Sequence, residues 1–222
     1  MQTIAINPFF AARTRTASAP RQYAKLPLAP INASPVPRLT SLYHHDQAGP
    51  YGDRRYPGNC SGELIKDVLR YFRPVKILDP CSGSGTCRDV CRELDIACHA
   101  LDIRYGQDAC NPASFPRTTT FPLIWAHPPY WRMKRYTNDP RDLSAAPTLE
   151  AFLDRYGRFL GNCADVLEPG GILAVLMGDY SDRTEGFLPL TYHTLCGRPH
   201  KVHNVVQLVM WPRPCPINHF GL

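Results

Sequence analysis

Hydrophobic positions along the chain follow two periods, one typical of buried strands and one typical of amphipathic helices. Short apolar runs predict strands at 75–78, 97–101, 123–126, 172–177 and 202–211. Apolar residues spaced three and four apart predict helices over 64–72, 86–94 and 149–167. Because such continuous apolar runs are buried on both faces, we expect a parallel sheet with helices on either side, a doubly wound, Rossmann-like α/β fold.

Capping and breaking residues mark the ends of these helices. Asn59 or Ser61 can cap the first helix, whose first-turn N–H groups would then suit a carboxylate. Thr148 can cap the third helix, and the Pro-Gly-Gly sequence at 169–171 is expected to stop it. The helix limits therefore follow from local chemistry.

The N-terminal region has a different composition. Residues 1–45 contain no Asp or Glu, and prolines interrupt the stretch throughout. Because prolines prevent long helices and few apolar residues remain for a core, we expect a basic, Pro-rich arm over 1–55 and a globular domain over 56–222. The arm could lie along a phosphate backbone or be a solvated tail, and it also resembles an organelle transit segment in composition.

Charge and hydropathy bear on partners and compartment. The formal net charge of the 222-residue chain is +6, which favours an anionic partner such as nucleic acid. No apolar run approaches the roughly 18 residues that a membrane span needs, so we expect a soluble, cytoplasmic protein without a membrane partner. The sequence leaves the oligomeric state open.

The cysteines indicate a reducing compartment. The chain has 9 of them, an odd number without paired CxxC spacing, so reduced thiols are favoured over a disulfide framework. Cys87 and Cys91 share a helix face, but no further pair at zinc spacing accompanies them. The sequence therefore predicts no metal site.

A glycine-rich loop follows the first predicted strand, within the sequence ILDPCSGSGT at 77–86. Gly83 and Gly85 allow a tight turn and a close approach of backbone to a ligand, and Thr86 begins a helix. Taken alone, this motif is equally consistent with a cofactor pocket and with an ordinary turn between strand and helix.

Two acidic residues strengthen the cofactor interpretation. Asp102 ends the second strand, where a carboxylate can accept hydrogen bonds from ribose hydroxyls. Asp108 lies in the loop that follows, where it could bind the exocyclic amine of adenine or simply form a turn. Together with the glycine loop, Asp102 predicts a nucleoside-containing cofactor.

The sequence HPPYW at 127–131 follows another buried strand. Two consecutive prolines remove two N–H donors, which leaves the preceding carbonyl groups free to face a pocket. Tyr130 and Trp131 would add flat apolar surfaces beside them, so a planar, amine-bearing substrate is implied. A polar loop at 132–147 carries arginines and a lysine that could pair with Asp139 and Asp142.

The motif DPxxGxGT followed by xPPY resembles the S-adenosyl-L-methionine (AdoMet)-dependent amino methyltransferases that modify adenine N6 or cytosine N4 in DNA. The resemblance covers residues 56–211 and implies a class I methyltransferase sheet. It implies that Asp79, Gly83 and Gly85 line the methionine end of AdoMet, Asp102 the ribose and Asp108 the adenine. The resemblance implies four further cofactor residues. Cys81 and Thr86 belong to the motif, and Asn59 and Ser61 belong to the turn before the first helix.

The resemblance also implies a catalytic segment of His127, Pro128, Pro129 and Tyr130. The carbonyl of Pro128 and the side chain at 127 would accept the amine hydrogens, while Tyr130 stacks on an extruded base. This family usually has Asp, Asn or Ser where His127 stands. Neutral His127 can accept one hydrogen bond, so we expect activity to fall as pH drops through about 6 to 7. The alternative is a structural histidine in an inactive protein.

The expected activity is methylation of an exocyclic amine in DNA, with a slight preference for cytosine N4 because Trp131 follows Tyr130. Methylation of RNA or of a protein amide is the enzymatic alternative, and a non-catalytic regulator that binds AdoMet or DNA is the other. No segment is large enough to be a separate target-recognition domain, so we expect short or loose sequence preference in DNA.

Overall fold

A computed structural model describes Val36, His45, residues 47–197 and the strand backbone at 205–209. Most of the predicted arm therefore lies outside the described residues. In chain order the regular elements are α1 Gly62–Phe72, β1 Lys76–Asp79, α2 Thr86–Glu93, β2 Ala97–Ala100, β3 Phe121–Ala126, α3 Leu149–Asp165, β4 Leu167–Met177, β5 Tyr180–Asp182, β6 Gly186–Leu188, α4 Leu190–Cys196 and β7 Val205–Val209.

The chain forms an α/β structure around a parallel sheet in the order β2-β1-β3-β4-β7. From β1 the chain adds β2 on one side, then crosses back to add β3 on the other. The strand order thus reverses between β1 and β3. In open parallel sheets, the crevice outside the carboxyl ends of the strands at such a reversal is where ligands bind.

Helices cover both faces of the sheet. Ile77 of β1 points towards α1 and α2, and the neighbouring Leu78 points towards α3. Both side chains are fully buried, because β1 has neighbouring strands on each side and helices above and below. The predicted parallel sheet with flanking helices is confirmed, and the arrangement is compatible with a Rossmann-like fold.

Two predicted boundaries were wrong for physical reasons. Val75 was expected in the first strand but precedes it and is 78% exposed. The Pro-Gly-Gly sequence at 169–171 does not stop α3, which ends at Asp165; it lies inside β4. The pairing of β3 with β4 shifts register there, and β7 pairs with β4 only from Leu173 onward, so this stretch tolerates a proline that a fully paired strand would not.

The antiparallel β5-β6 hairpin and α4 were not predicted from the sequence. Each strand of the hairpin has three residues and α4 has seven, too few to produce a measurable hydrophobic period. The predicted last strand at 202–211 is present as β7 at 205–209, and its remaining positions lie outside the described residues.

The segment 47–55, at the end of the predicted arm, packs on α1 and α2. The carbonyl of Ala48 accepts from the N–H of Gly62 at 2.9 Å, and the Gly52 N–H donates to the Asp89 carboxylate at 2.9 Å. Tyr51, which lies between these two contacts in the chain, is buried.

Among the described helices, none combines the length and apolar character needed to cross a membrane.

Candidate functional site

A cleft opens at the carboxyl ends of β1 and β3, where the strand order reverses, and contains about 830 Å³ of space including its mouth. It collects predicted residues from three separate strand ends. Those that line it are Asp79, Cys81, Gly83, Thr86, Asp102, Asp108, His127 and Pro129. The remaining predicted residues lie beside or behind its wall. They are Asn59, Ser61, Gly85, Pro128 and Tyr130.

The glycine-rich loop turns at two positive φ angles, +46° at Gly83 and +83° at Gly85. The Gly85 N–H donates to the Ser82 carbonyl at 2.7 Å, which closes the turn. A Cβ at Gly83 would lie 3.1 Å from the ring of Tyr56, so glycine keeps the cleft open on this side. Gly85 is the N-cap of α2, and Thr86 begins that helix as predicted.

Asp79 forms the buried floor of the cleft. Its carboxyl group accepts from the Cys81 N–H at 3.1 Å, so the side chain holds the start of the glycine loop in place. Burial raises the pKa of Asp79 to about 8. Burial also raises the pKa of the Cys81 thiol well above its usual range, so this cysteine is present as an uncharged thiol.

Asp102 is already engaged by an arginine that the sequence analysis did not single out. The Arg104 guanidinium donates to the Asp102 carboxylate at 2.7 and 3.0 Å and also to the Gly83 carbonyl. It lies 4.8 Å from the centre of the Tyr56 ring. Arg104 therefore bridges the second strand end and the glycine loop, and a ribose could reach Asp102 only by displacing it.

Asp108 forms the turn that the sequence offered as one of its two roles, and it also faces the cleft. It lines the cleft, and its Oδ1 accepts from the Cys110 N–H at 2.8 Å in a local turn. The turn fixes the direction of the carboxylate, so that a second oxygen remains for a ligand.

Asn59 and Ser61 support the cleft from outside its lining. Thr86 donates its hydroxyl to the Asn59 side-chain carbonyl at 2.7 Å, and Ser61 caps α1 by accepting from the Leu64 N–H at 3.4 Å. The expectation of open N–H groups in the first turn is wrong at Gly62 and Leu64. The Gly62 N–H bonds to Ala48 and that of Leu64 to the Ser61 cap.

His127 lies at the end of β3 with its ring packed against Tyr130. Its Nε2 is 3.2 Å from the Tyr130 hydroxyl, and the two rings meet edge to face. Burial lowers the pKa of His127 to about 4, because the charged imidazolium would lose its hydration. The expected loss of an acceptor through pH 6 to 7 is therefore corrected: His127 stays neutral until about pH 4.

Pro128, Tyr130 and Trp131 are buried behind His127. Trp131 has a φ of +47°, which is unusual for a bulky residue, and its indole N–H donates to the Ala146 carbonyl at 2.9 Å. The expectation of an open Trp131 surface is wrong, because this ring anchors the following loop to the core. Burial raises the pKa of the Tyr130 phenol, which therefore stays protonated.

The loop after Trp131 is organised by a buried carboxylate. Asp142 accepts from the N–H and the hydroxyl of Thr137, each at 2.9 Å, and from the Ser144 N–H at 2.8 Å. Arg132 does not pair with acidic residues of its own loop as expected; it reaches Asp182 of β5 at 2.7 and 2.8 Å. The hairpin that the sequence missed thus holds this loop.

Tyr56 and Tyr136 form an aromatic wall of the cleft that the sequence analysis also missed. Their rings stack with centroids 5.8 Å apart and an interplanar angle of 24°. Basic residues within two positions of these tyrosines in the chain are exposed, among them Arg54, Lys134 and Arg135. No local sequence signal pairs two tyrosines so far apart in the chain, because the contact exists only after folding.

No protein-family model matches the chain, and no solved structure matches it. The functional argument therefore rests on the geometry of the cleft.

Proposed function

We propose that this protein is a class I, Rossmann-like methyltransferase that transfers a methyl group from AdoMet to an exocyclic amine of a DNA base. The favoured acceptors are cytosine N4 and adenine N6, with a slight preference for cytosine N4. The observation that carries the proposal is the convergence of three separately predicted strand ends on one cleft at the reversal of the strand order.

The cofactor half of the cleft would be formed by the ends of β1 and β2. The glycine loop offers close backbone approach, and the Asp79 floor suits the methionine end of AdoMet. Asp102 and Asp108 follow in the order needed for the ribose and the adenine. All three carboxylates line the same cleft as the glycine loop, which supports a nucleoside cofactor with separate hydrogen-bonding groups.

The transfer half would be formed by the HPPY segment at 127–130. An exocyclic amine shares its lone pair with the aromatic ring, so acceptors that pull its hydrogens out of plane make the nitrogen nucleophilic. Neutral His127, which lines the cleft, would supply one such acceptor, and the carbonyl of the buried Pro128 would supply a second only if the amine reached past that lining. Bound AdoMet would supply the electrophilic methyl group, and the amine would lose one proton to water after transfer.

The rim of the cleft supports an anionic, planar substrate. The tyrosine pair at 56 and 136 lines the cleft, and the exposed Arg54, Lys134 and Arg135 lie within two residues of it in the chain. Basic side chains beside aromatic rings are typical of sites that hold a phosphate backbone while a base stacks. A base would have to leave the duplex to reach His127.

Methyl transfer from labelled AdoMet to separate DNA, RNA and protein samples tests the proposal. We expect label in DNA only, and His127→Ala is expected to lower the rate by at least about 100-fold. His99→Ala, which removes an exposed histidine of β2, is the matched control and should retain activity. Label in RNA or protein alone would overturn the substrate, and calorimetric AdoMet binding without transfer would identify a non-catalytic regulator.

A further inference from the structure

Three cysteines form a cluster of thiols beside the cleft. Cys87 and Cys91 lie on α2, Cys98 lies on β2, and their three sulfur atoms are all within 4.8 Å of one another. Cys87 and Cys91 are buried, whereas Cys98 is partly exposed. Within the described part of the chain, this is the one group of three or more metal-ligating side chains at such distances.

The fold explains why the sequence concealed this cluster. Cys87 and Cys91 are four residues apart and therefore lie on one face of the helix. The Ile96 N–H donates to the Cys91 carbonyl at 2.9 Å, which folds β2 back along α2. Cys98 then pairs with Ile77 of β1 and lies opposite the two helix thiols. The third ligand comes from a strand, so no paired zinc spacing appears in the sequence.

The distances suit a single metal ion. With Zn–S bonds of about 2.3 Å, tetrahedral geometry places two sulfur ligands about 3.8 Å apart. The three sulfurs would need to move together by no more than about 1 Å to reach that arrangement. All three are free thiols, so a metal would not have to compete with a disulfide for them.

We propose that Cys87, Cys91 and Cys98 together bind one thiophilic d10 cation, Zn²⁺ or Cu⁺. Thiolate ligands select such soft or borderline ions over Mg²⁺ and Ca²⁺. Each thiol gives up its proton to solvent when the ion binds. Cu⁺ is satisfied by three thiolates, whereas Zn²⁺ takes a water as fourth ligand on the side where Cys98 is exposed.

The ion would connect two elements that shape the cleft. Helix α2 begins directly after Gly85 of the glycine loop, and β2 leads directly to Asp102. Metal–sulfur bonds to all three cysteines would fix α2 against β2. They would thereby also fix the position of the glycine loop relative to Asp102. The ion therefore has a structural role, and its binding is separable from any activity of the cleft.

The test uses the full-length protein under reducing, anaerobic conditions, with Zn²⁺ and Cu⁺ titrated separately against a chromophoric chelator. We expect about one ion per chain, a rise in melting temperature on loading, and thiolate-to-metal charge-transfer absorption when Cd²⁺ replaces Zn²⁺. Cys98→Ser should weaken binding by at least about 100-fold, the upper end of what loss of an outer-shell partner alone costs. This variant is preferred because Cys98 is the partly exposed member of the cluster, so its replacement should disturb the core less than a change at Cys87 or Cys91.

Cys196→Ser is the matched control, because it removes an exposed thiol of α4 outside the cluster. It should bind the ion as the unaltered protein does. Equal binding by the Cys98→Ser variant would overturn the proposal, since the ion would then be held elsewhere. It would also be overturned if neither ion bound to the reduced protein, or if loading with Cd²⁺ gave no charge-transfer band.

Discussion

The two halves of the cleft are built in different ways. In the cofactor half, two of the carboxylates are fixed by an N–H two residues along the chain: Asp79 accepts from Cys81, and Asp108 from Cys110. In the transfer half, the Trp131 indole reaches residue 146 to hold the loop. Local turns can be recognised from sequence, whereas contacts between distant segments cannot. The two halves should therefore fail in different ways when they are altered.

The largest effect is expected from Trp131→Ala. The change removes a fully buried ring and its hydrogen bond to Ala146, and should lower the free energy of unfolding by about 3 to 5 kcal/mol. Urea unfolding measures this loss. Tyr105→Ala, at a site 76% exposed, is the control and should change stability by less than about 0.5 kcal/mol. Equal effects would mean that Trp131 does not anchor the loop.

A pair of carboxylate variants should separate the two halves. Asp102→Asn is expected to weaken AdoMet binding by about 10-fold or more, because charged hydrogen bonds contribute about 1.5 to 3 kcal/mol. Asp142→Asn should leave AdoMet binding within about twofold and lower the rate of transfer, since Asp142 organises only the loop at 137–144. Calorimetry and initial rates measure the two effects. Loss of AdoMet binding in the Asp142 variant would show that the halves are not independent.

Two glycines with nearly the same backbone conformation provide a sharper test. Gly85 and Gly106 have φ angles of +83° and +81°, so alanine at either should cost about 1 to 2 kcal/mol of stability. At Gly85 the added Cβ would lie 2.9 Å from the end of the flexible Arg88 side chain, which can move away, and at Gly106 nothing lies within 4 Å, so the two stability costs should be alike. Because Gly85 belongs to the glycine loop that lines the cleft and Gly106 lies outside that lining, only Gly85→Ala should weaken AdoMet binding, as measured by calorimetry; the same weakening at Gly106 would contradict a special role for the loop.

The smallest effect is expected from pH between 6 and 7.5. Because burial lowers the pKa of His127 to about 4, this acceptor remains neutral and its protonation should not change the rate of transfer there. The rate should decline near pH 4. The free energy of unfolding should change in the same direction as the rate. The pKa of His127 in the folded state lies below its unfolded value of about 6.5, so stability is lost as pH falls from 6.5 towards 4.

His127→Gln, which keeps a neutral acceptor, is the control for this pH profile. It should abolish the decline near pH 4 while retaining part of the activity. A drop in the rate between pH 7 and 6 that disappears in this variant would show that His127 titrates in its ordinary range and is more exposed to water in solution.

The sequence allowed most of the sheet, the helix caps at Ser61 and Thr148, and the cleft residues on strand ends to be predicted. These features depend on local periodicity and on turn chemistry, which a single chain displays directly. The bridge by Arg104, the tyrosine wall and the third cysteine were missed because each joins segments that meet only after folding. Pro169 misled the analysis because a proline stops a helix and is also tolerated where a strand is irregular.

The bridge by Arg104 has a kinetic consequence for whatever enters the cleft. A ligand that offers hydroxyl groups to Asp102 has to displace the Arg104 guanidinium, which then returns to water. Binding of such a ligand is therefore competitive with the ion pair. Because the two charges are in direct contact and Asp102 is buried, dissolved ions screen this pair only weakly. Moderate salt should therefore change the uptake of an uncharged hydroxyl-bearing ligand little, whereas it should weaken the binding of a polyanion at the basic rim.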